Sequence, residues 1–74
     1  MGKEIKLTKN ELNVLKVCDE EPGKLEMIKR ELKDKLSKEK IKEILDRLLR
    51  LKLVYQDDDG WWAITVEGGR ELSD

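Results

Sequence analysis

Polar and apolar residues from Ser37 to Val54 first follow the period of an α-helix and then that of a β-strand. At about 100° per residue, the apolar side chains of the helical part form one stripe. They are Ile41, Ile44, Leu45, Leu48 and Leu51. Ser37 precedes this run, where its hydroxyl can accept from a free N–H group of the first turn. The pattern predicts a capped helix over residues 38–51 that leads almost directly into a strand.

An earlier helix is predicted by its N-terminal sequence. Thr8 and Glu11 have the spacing of a capping box, and Leu7 and Leu12 have the spacing of a hydrophobic staple. These signals predict a first helix from residue 9 to about residue 20.

A second helix is predicted between the first helix and Ser37. Pro22 and Gly23 end the first helix, because proline does not continue a helix and glycine favours a turn. Apolar residues then recur at helical spacing, which predicts a helix over about 26–35. They are Leu25, Ile28, Leu32 and Leu36. Lys24 and Leu25 are also candidates for a very short strand.

Two β-prone segments, 53–56 and 61–65, flank the turn sequence Asp57-Asp58-Asp59-Gly60 and predict a hairpin. If Ile64 faces the core, alternation places Trp62 beside it and turns Trp61 outward. Thr65 can cap a last helical turn through Arg70 to Leu72, which we expect to be short and frayed because of the glycines at 68 and 69.

The predicted order is helix, helix, helix, hairpin, which is an α+β fold in a single domain over residues 1–74. A chain of 74 residues has room for one small core. The predicted core residues are Leu12, Leu15, Ile28, Leu32, Ile41, Leu45, Leu48, Leu53, Trp62 and Ile64.

The amino-acid composition excludes several classes of function. The chain has no histidine and one cysteine, which excludes the usual zinc sites and a disulfide within the chain. Cys18 is in helical register with Leu15 and is expected to be buried. No nucleophile–base pair, metal cluster or phosphate loop is present, so we expect neither an enzyme nor a cofactor. No apolar run is long enough for a membrane span or a signal peptide, which predicts a cytoplasmic protein.

With its elements in place, the sequence resembles the winged helix-turn-helix regulators of the MarR, PadR and penicillinase-repressor kind. The resemblance rests on Leu7-Thr8 with Val14-Leu15, on Leu45-Asp46-Arg47-Leu48, and on Ile64-Thr65-Val66-Glu67-Gly68 with Arg70. It implies a third helix that enters the DNA major groove and a hairpin that serves as the wing. The chain departs from the family at three places, with Lys52 where glycine is usual, Glu43 on the exposed helix face, and an acidic wing tip.

Charge is distributed unevenly along the chain. Residues 29–42 include seven basic and three acidic side chains, whereas residues 43–74 include four basic and eight acidic ones. We predict weak, salt-dependent binding of double-stranded DNA through the positive segment. The candidate DNA-binding residues are Lys29, Arg30, Lys33, Lys35, Ser37, Lys38, Lys40 and Lys42. The alternative is a solvated face whose lysines pair with Glu31, Asp34 and Glu39.

A second hypothesis is a winged helix that contacts protein, as a dimerisation or assembly module without significant DNA binding. Its candidate residues are Leu49 and the outward Trp61, since exposed tryptophan is enriched in interface hot spots. The alternative for Trp61 is that its ring covers the small core. The Lys- and Glu-rich composition fits a hyperthermophile protein and a redesigned scaffold equally well.

Overall fold

A computed structural model describes residues 6–73, which form four helices and a two-stranded antiparallel hairpin. The elements in chain order are α1 (Lys9–Glu20), α2 (Leu25–Glu31), α3 (Lys38–Arg50), β1 (Val54–Gln56), β2 (Trp62–Ile64) and α4 (Val66–Ser73). The predicted α+β order is confirmed, and we call the hairpin over residues 54–64 the wing.

The capping box at the start of α1 is confirmed. The Glu11 backbone N–H donates to Thr8 Oγ1 at 3.1 Å, and the Thr8 N–H donates to Glu11 Oε1 at 2.9 Å. The other carboxylate oxygen of Glu11 accepts from Arg47 Nη1 at 3.1 Å. Glu11 is only 6% exposed, so one buried carboxylate both caps α1 and ties it to α3. The sequence pattern had placed Arg47 on the solvent side and gave no sign of this link.

The second helix is shorter than predicted. It ends at Glu31, and Lys33 and Asp34 both have φ of 58°, in the left-handed region. The N–H of Lys33 donates to the Arg30 carbonyl and that of Asp34 to the Lys29 carbonyl, which is the Schellman pattern of a helix end. The predicted extension to residue 35 is therefore wrong, because left-handed residues stop the helix before Leu36.

Both ends of α3 are fixed by specific hydrogen bonds. The Ser37 hydroxyl accepts from the Lys40 N–H at 3.1 Å, as predicted for the cap. At the other end Lys52 has φ of 64°, its N–H donates to the Leu49 carbonyl, and the Leu53 N–H donates to the Leu48 carbonyl at 2.9 Å. This is again a Schellman motif, with lysine in the position that favours glycine.

The register of the wing agrees with the prediction. Val54 pairs with Ile64 and Gln56 with Trp62, and Trp62 is 7% exposed while Trp61 is half-buried. Trp62 also exchanges two backbone hydrogen bonds with Gly23, at 3.0 and 2.8 Å. The short third extended segment therefore lies at Gly23, and not at Lys24 and Leu25.

The helix after the wing begins after the predicted cap and has eight residues, Val66–Ser73, which is one residue beyond the predicted end. Thr65 caps it, because its hydroxyl accepts from the Gly68 N–H at 3.1 Å and donates to the Lys52 carbonyl at 2.7 Å. A Cβ at Gly68 would lie 2.2 Å from the Leu53 carbonyl oxygen. The glycine is thus required for α4 to pack against the α3–β1 junction, and α4 continues to Ser73.

Within residues 6–73 the core contains eleven buried apolar residues. They are Val14, Leu15, Cys18, Ile28, Ile41, Ile44, Leu45, Leu48, Leu53, Val54 and Trp62. The prediction for Leu12 is wrong, because Leu12 lies in an open groove beside Leu72 of α4 and is 38% exposed. Leu32 and Ile64 are half-buried and pack on the core. Burial is confirmed for Cys18 and raises the pKa of its thiol to about 11.

Candidate nucleic-acid interface

Helix α3 has one buried side and one side open to solvent. Its buried stripe consists of four residues, Ile41, Ile44, Leu45 and Leu48, which pack in the core. The last turn of α2, the turn that follows it and the first part of α3 make up residues 29–42, which we call the corner. The corner is the positively charged segment of the sequence.

The eight predicted DNA-binding residues all belong to the corner. Lys29 and Arg30 lie in the last turn of α2, Lys33 and Lys35 in the connecting turn, and Ser37 at the cap of α3. The remaining three lie in the first two turns of α3; they are Lys38, Lys40 and Lys42. All eight are exposed except Lys29, which is half-buried.

Two of these lysines are paired with carboxylates in the structure. Lys29 Nζ lies 2.7 Å from Asp34 Oδ1, and Lys38 Nζ lies 3.1 Å from Glu26 Oε1. The hydrogen bond from Lys29 holds the pKa of the Asp34 carboxyl below its usual value. The left-handed backbone at Lys33 and Asp34 brings this carboxylate back towards α2. Of the three pairings considered from sequence, the one with Asp34 is present, and Glu26 was not foreseen.

A groove separates α3 from the wing. Lys42 and Asp46 line its α3 side, Gln56 and Gly60 line its wing side, and Trp62 contributes to its floor. Lys42 therefore faces the space between α3 and the wing.

The acidic tip of the wing has a structural role that the sequence pattern did not reveal. The Asp57 carboxylate oxygen Oδ1 accepts from the backbone N–H groups of Asp59, at 3.0 Å, and Trp61, at 2.8 Å. Asp58 and Asp59 are exposed, and no group of three potential metal-ligating side chains occurs within residues 6–73. Asp57 therefore shapes the turn, whereas the carboxylates of Asp58 and Asp59 are exposed at its tip.

The two candidate protein-contact residues differ in exposure. Leu49 is 41% exposed on α3. Trp61 is half-buried, and the ammonium of Lys24 lies 5.4 Å from the centroid of its ring. This cation–π contact places Lys24 over the ring, and Trp61 is not among the partly buried residues of segment 6–73 that pack on the core. Tyr55, which was not singled out from sequence, is 51% exposed on β1.

None of the helices described is both long enough and apolar enough to cross a membrane.

Comparison with known proteins identifies the fold. No family model and no curated protein matches the sequence. Among solved structures, a point mutant of Lactococcus lactis ZitR matches with a TM-score of 0.79 at 18% identity, over 99% of this chain and 53% of that one. IdeR of T. acidophilum matches with a TM-score of 0.74 at 22% identity, over 92% of this chain and 33% of that one. The chain thus spans about half the length of ZitR and a third of IdeR, and it has the winged-helix fold that these two proteins share.

Proposed function

We propose that this chain is a DNA-binding winged-helix domain of a transcriptional regulator, of the kind that the MarR, PadR and penicillinase-repressor families represent. The observation that supports it most is the position of the corner. The exposed beginning of α3 and the turn before it, which a winged helix presents to DNA, are also where the basic side chains are concentrated. The similarity to ZitR and IdeR, both winged-helix regulators, agrees with the proposal.

In this proposal the N-terminal half of α3 enters the major groove. Ser37, Lys38 and Lys40 lie at the first turn, where free backbone N–H groups and the helix dipole favour phosphate. Lys42 follows one turn later, beside the groove to the wing. Four residues of α2 and the turn, Lys29, Arg30, Lys33 and Lys35, contact the phosphate backbone and set the register.

Binding is weak and falls steeply with salt. Lys29 and Lys38 must leave or share their carboxylate partners Asp34 and Glu26 before they neutralise a phosphate. Each phosphate contact releases counterions, so the affinity depends strongly on ionic strength. The exposed Asp58 and Asp59 at the wing tip repel phosphate, and the wing tip stays clear of the duplex.

A charge-reversal experiment tests the proposal. A fluorescent mixed-sequence duplex is titrated with the chain and with the double variant Lys38→Glu/Lys40→Glu, at salt concentrations of about 50 and 200 mM. The control is Lys9→Glu/Lys16→Glu, which makes the same charge change at exposed positions of α1, outside the corner. We expect the first variant to lose binding and the control to retain it within a few-fold. Equal loss in both variants would show that only the overall charge matters.

The wing gives a second test of the same proposal. Replacing Asp58 and Asp59 by lysine should strengthen binding, and Asp57 is left in place because it holds the turn. NMR shift changes on adding duplex should follow the corner. Changes confined to Leu49, Trp61 and the wing would contradict the DNA proposal.

The second candidate function is protein contact, including formation of a homodimer. The exposure of Tyr55 favours it, because aromatic side chains are enriched in interfaces, and the exposed Leu49 offers a further apolar contact. Sedimentation equilibrium of the chain and of the Leu49→Asp variant tests it. A dimer that Leu49→Asp dissociates would support this function, and a monomer at all concentrations would exclude self-association.

A further inference from the structure

As far as Asp46, the side of α3 that points away from the core is acidic and its flanks are basic, and Arg50 continues the same side at the end of the helix. At about 100° per residue, Glu39, Glu43 and Asp46 lie within roughly 30° of the direction opposite the buried stripe. All three are exposed, and none makes an ion pair within residues 6–73. We call these three the acidic row. The basic flanks are Lys38 and Lys42 on one side and Lys40 and Arg47 on the other.

Like charges stand one turn apart in the first half of α3. Glu39 and Glu43 are four residues apart, and so are Lys38 and Lys42. Like charges at this spacing destabilise a helix, whereas opposite charges there would stabilise it. Further along α3 an opposite charge follows at the same spacing, as at Glu43 and Arg47. The first half of α3 thus presents carboxylates along its centre and lysines along its flanks, and a ligand with the complementary arrangement would fit it.

The major groove of DNA has this complementary arrangement. Phosphates form its two walls, and base edges form its floor. In the orientation proposed above, the basic flanks face the walls and the acidic row faces the floor. The carboxylates thereby avoid the phosphates and meet the bases.

A carboxylate on the floor of the groove selects among the bases, because it accepts hydrogen bonds and does not donate them. Guanine and thymine present acceptors there, so both are disfavoured. Adenine presents its N6 amino group next to the N7 acceptor, which repels the second carboxylate oxygen. Cytosine presents only its N4 amino group and is the base that suits a carboxylate best.

We propose that Glu39 and Glu43 determine base specificity by accepting hydrogen bonds from the amino groups of two cytosines in the DNA site. The inference rests on the proposed function, since it requires α3 to lie in the major groove. The two residues are four positions apart and therefore about 6 Å apart along the helix axis, which is close to two base-pair steps of about 3.4 Å. The two side chains therefore reach different base pairs of one site.

Selection from a pool of random-sequence duplexes tests the inference. The chain, Glu39→Gln and Glu43→Gln are each used to enrich the pool at low salt, and the bound duplexes are sequenced. The control is Glu20→Gln, which removes the same charge from an exposed residue at the end of α1. We expect the unmodified chain and the control to enrich cytosine at two positions, by about ten-fold over the other bases. Glu39→Gln and Glu43→Gln should each enrich adenine in place of cytosine at one of the two positions, because glutamine pairs with adenine N6 and N7.

Two results would overturn the inference. One is enrichment without cytosine, and the other is retention of cytosine at both positions in Glu39→Gln and Glu43→Gln. In either case the duplexes are still bound, so the proposed function stands. If the chain binds no duplex at low salt, both this inference and the proposed function are overturned. Glutamine has the shape of glutamate, and circular dichroism verifies that each variant is folded.

Discussion

Two adjacent glycines in α4 provide a matched test of how this fold is packed. Alanine is favoured over glycine in a helix by about 1 kcal/mol, so propensity alone predicts that Gly68→Ala and Gly69→Ala both stabilise the chain. The structure predicts opposite signs. A Cβ at Gly69 meets nothing within 4 Å, whereas at Gly68 it would lie 2.2 Å from the Leu53 carbonyl oxygen and 2.6 Å from Ile64 Cγ1.

The clash at Gly68 is with backbone, which has little freedom to move. The Leu53 carbonyl accepts from the Thr65 N–H at 3.0 Å, so displacing it weakens the junction of α3, β1 and α4. Overpacking of this kind costs about 1–3 kcal/mol or more. We expect Gly68→Ala to destabilise by about 2 kcal/mol after the propensity gain, and Gly69→Ala to stabilise by up to about 1 kcal/mol.

Urea unfolding followed by tryptophan fluorescence measures both effects, since Trp62 is buried in the core. In a domain of this size 1 kcal/mol corresponds to about 4–8 °C in Tm, so thermal unfolding should separate the two variants clearly. A Gly68→Ala variant as stable as the unmodified chain would refute the packing of α4 described above.

Further predictions concern the helix ends, the link between α1 and α3, and the thiol. Thr8→Ala should cost about 1 kcal/mol through the lost cap, and an unchanged urea midpoint would mean that α1 begins elsewhere. Lys52→Gly should stabilise by about 1 kcal/mol because Lys52 has φ of 64°, and a lower urea midpoint would show that the chain leaves α3 by another route. In a double-mutant cycle, Glu11→Gln and Arg47→Met should be coupled by about 0.5–1 kcal/mol, and strict additivity would exclude the ion pair. Cys18 should react with a thiol reagent only on unfolding, and rapid labelling of the folded chain would contradict its burial. Because burial raises the pKa of this thiol from 9.0 to about 11, the free energy of unfolding should begin to fall above pH 9.0, where the thiol ionises in the unfolded chain but not in the folded one.

The sequence predicted the structure best where interactions between residues close together in the chain decide it. Caps at Thr8 and Ser37 satisfy backbone N–H groups with side chains only three residues away, so their spacing alone identified both helix starts. The wing register followed from alternation, because one buried residue fixes the face of all the others. The prediction failed for the end of α2, where apolar spacing continued to Leu36 but Lys33 and Asp34 adopt left-handed conformations that sequence does not mark.

For the candidate site, the sequence identified the positive segment and its carboxylate partner Asp34, but not the partner Glu26. The positions of Lys29 and Lys38 on the corner follow from helix phase, whereas Glu26 is twelve residues from Lys38 and meets it only after α2 and α3 cross. The role of Glu11 is decided by a contact 36 residues away in the chain.

The sequence by itself determined the order of the elements, their caps and the alternation of the wing, because these depend on interactions within a few residues. Tertiary structure alone decided that Gly68 has no room for a side chain, that Leu12 is left open beside α4, and that Glu11 is buried against Arg47. Each of these depends on the distance between segments that are remote in the chain. That distance is set by how the helices pack around the core, which no local pattern of residues specifies.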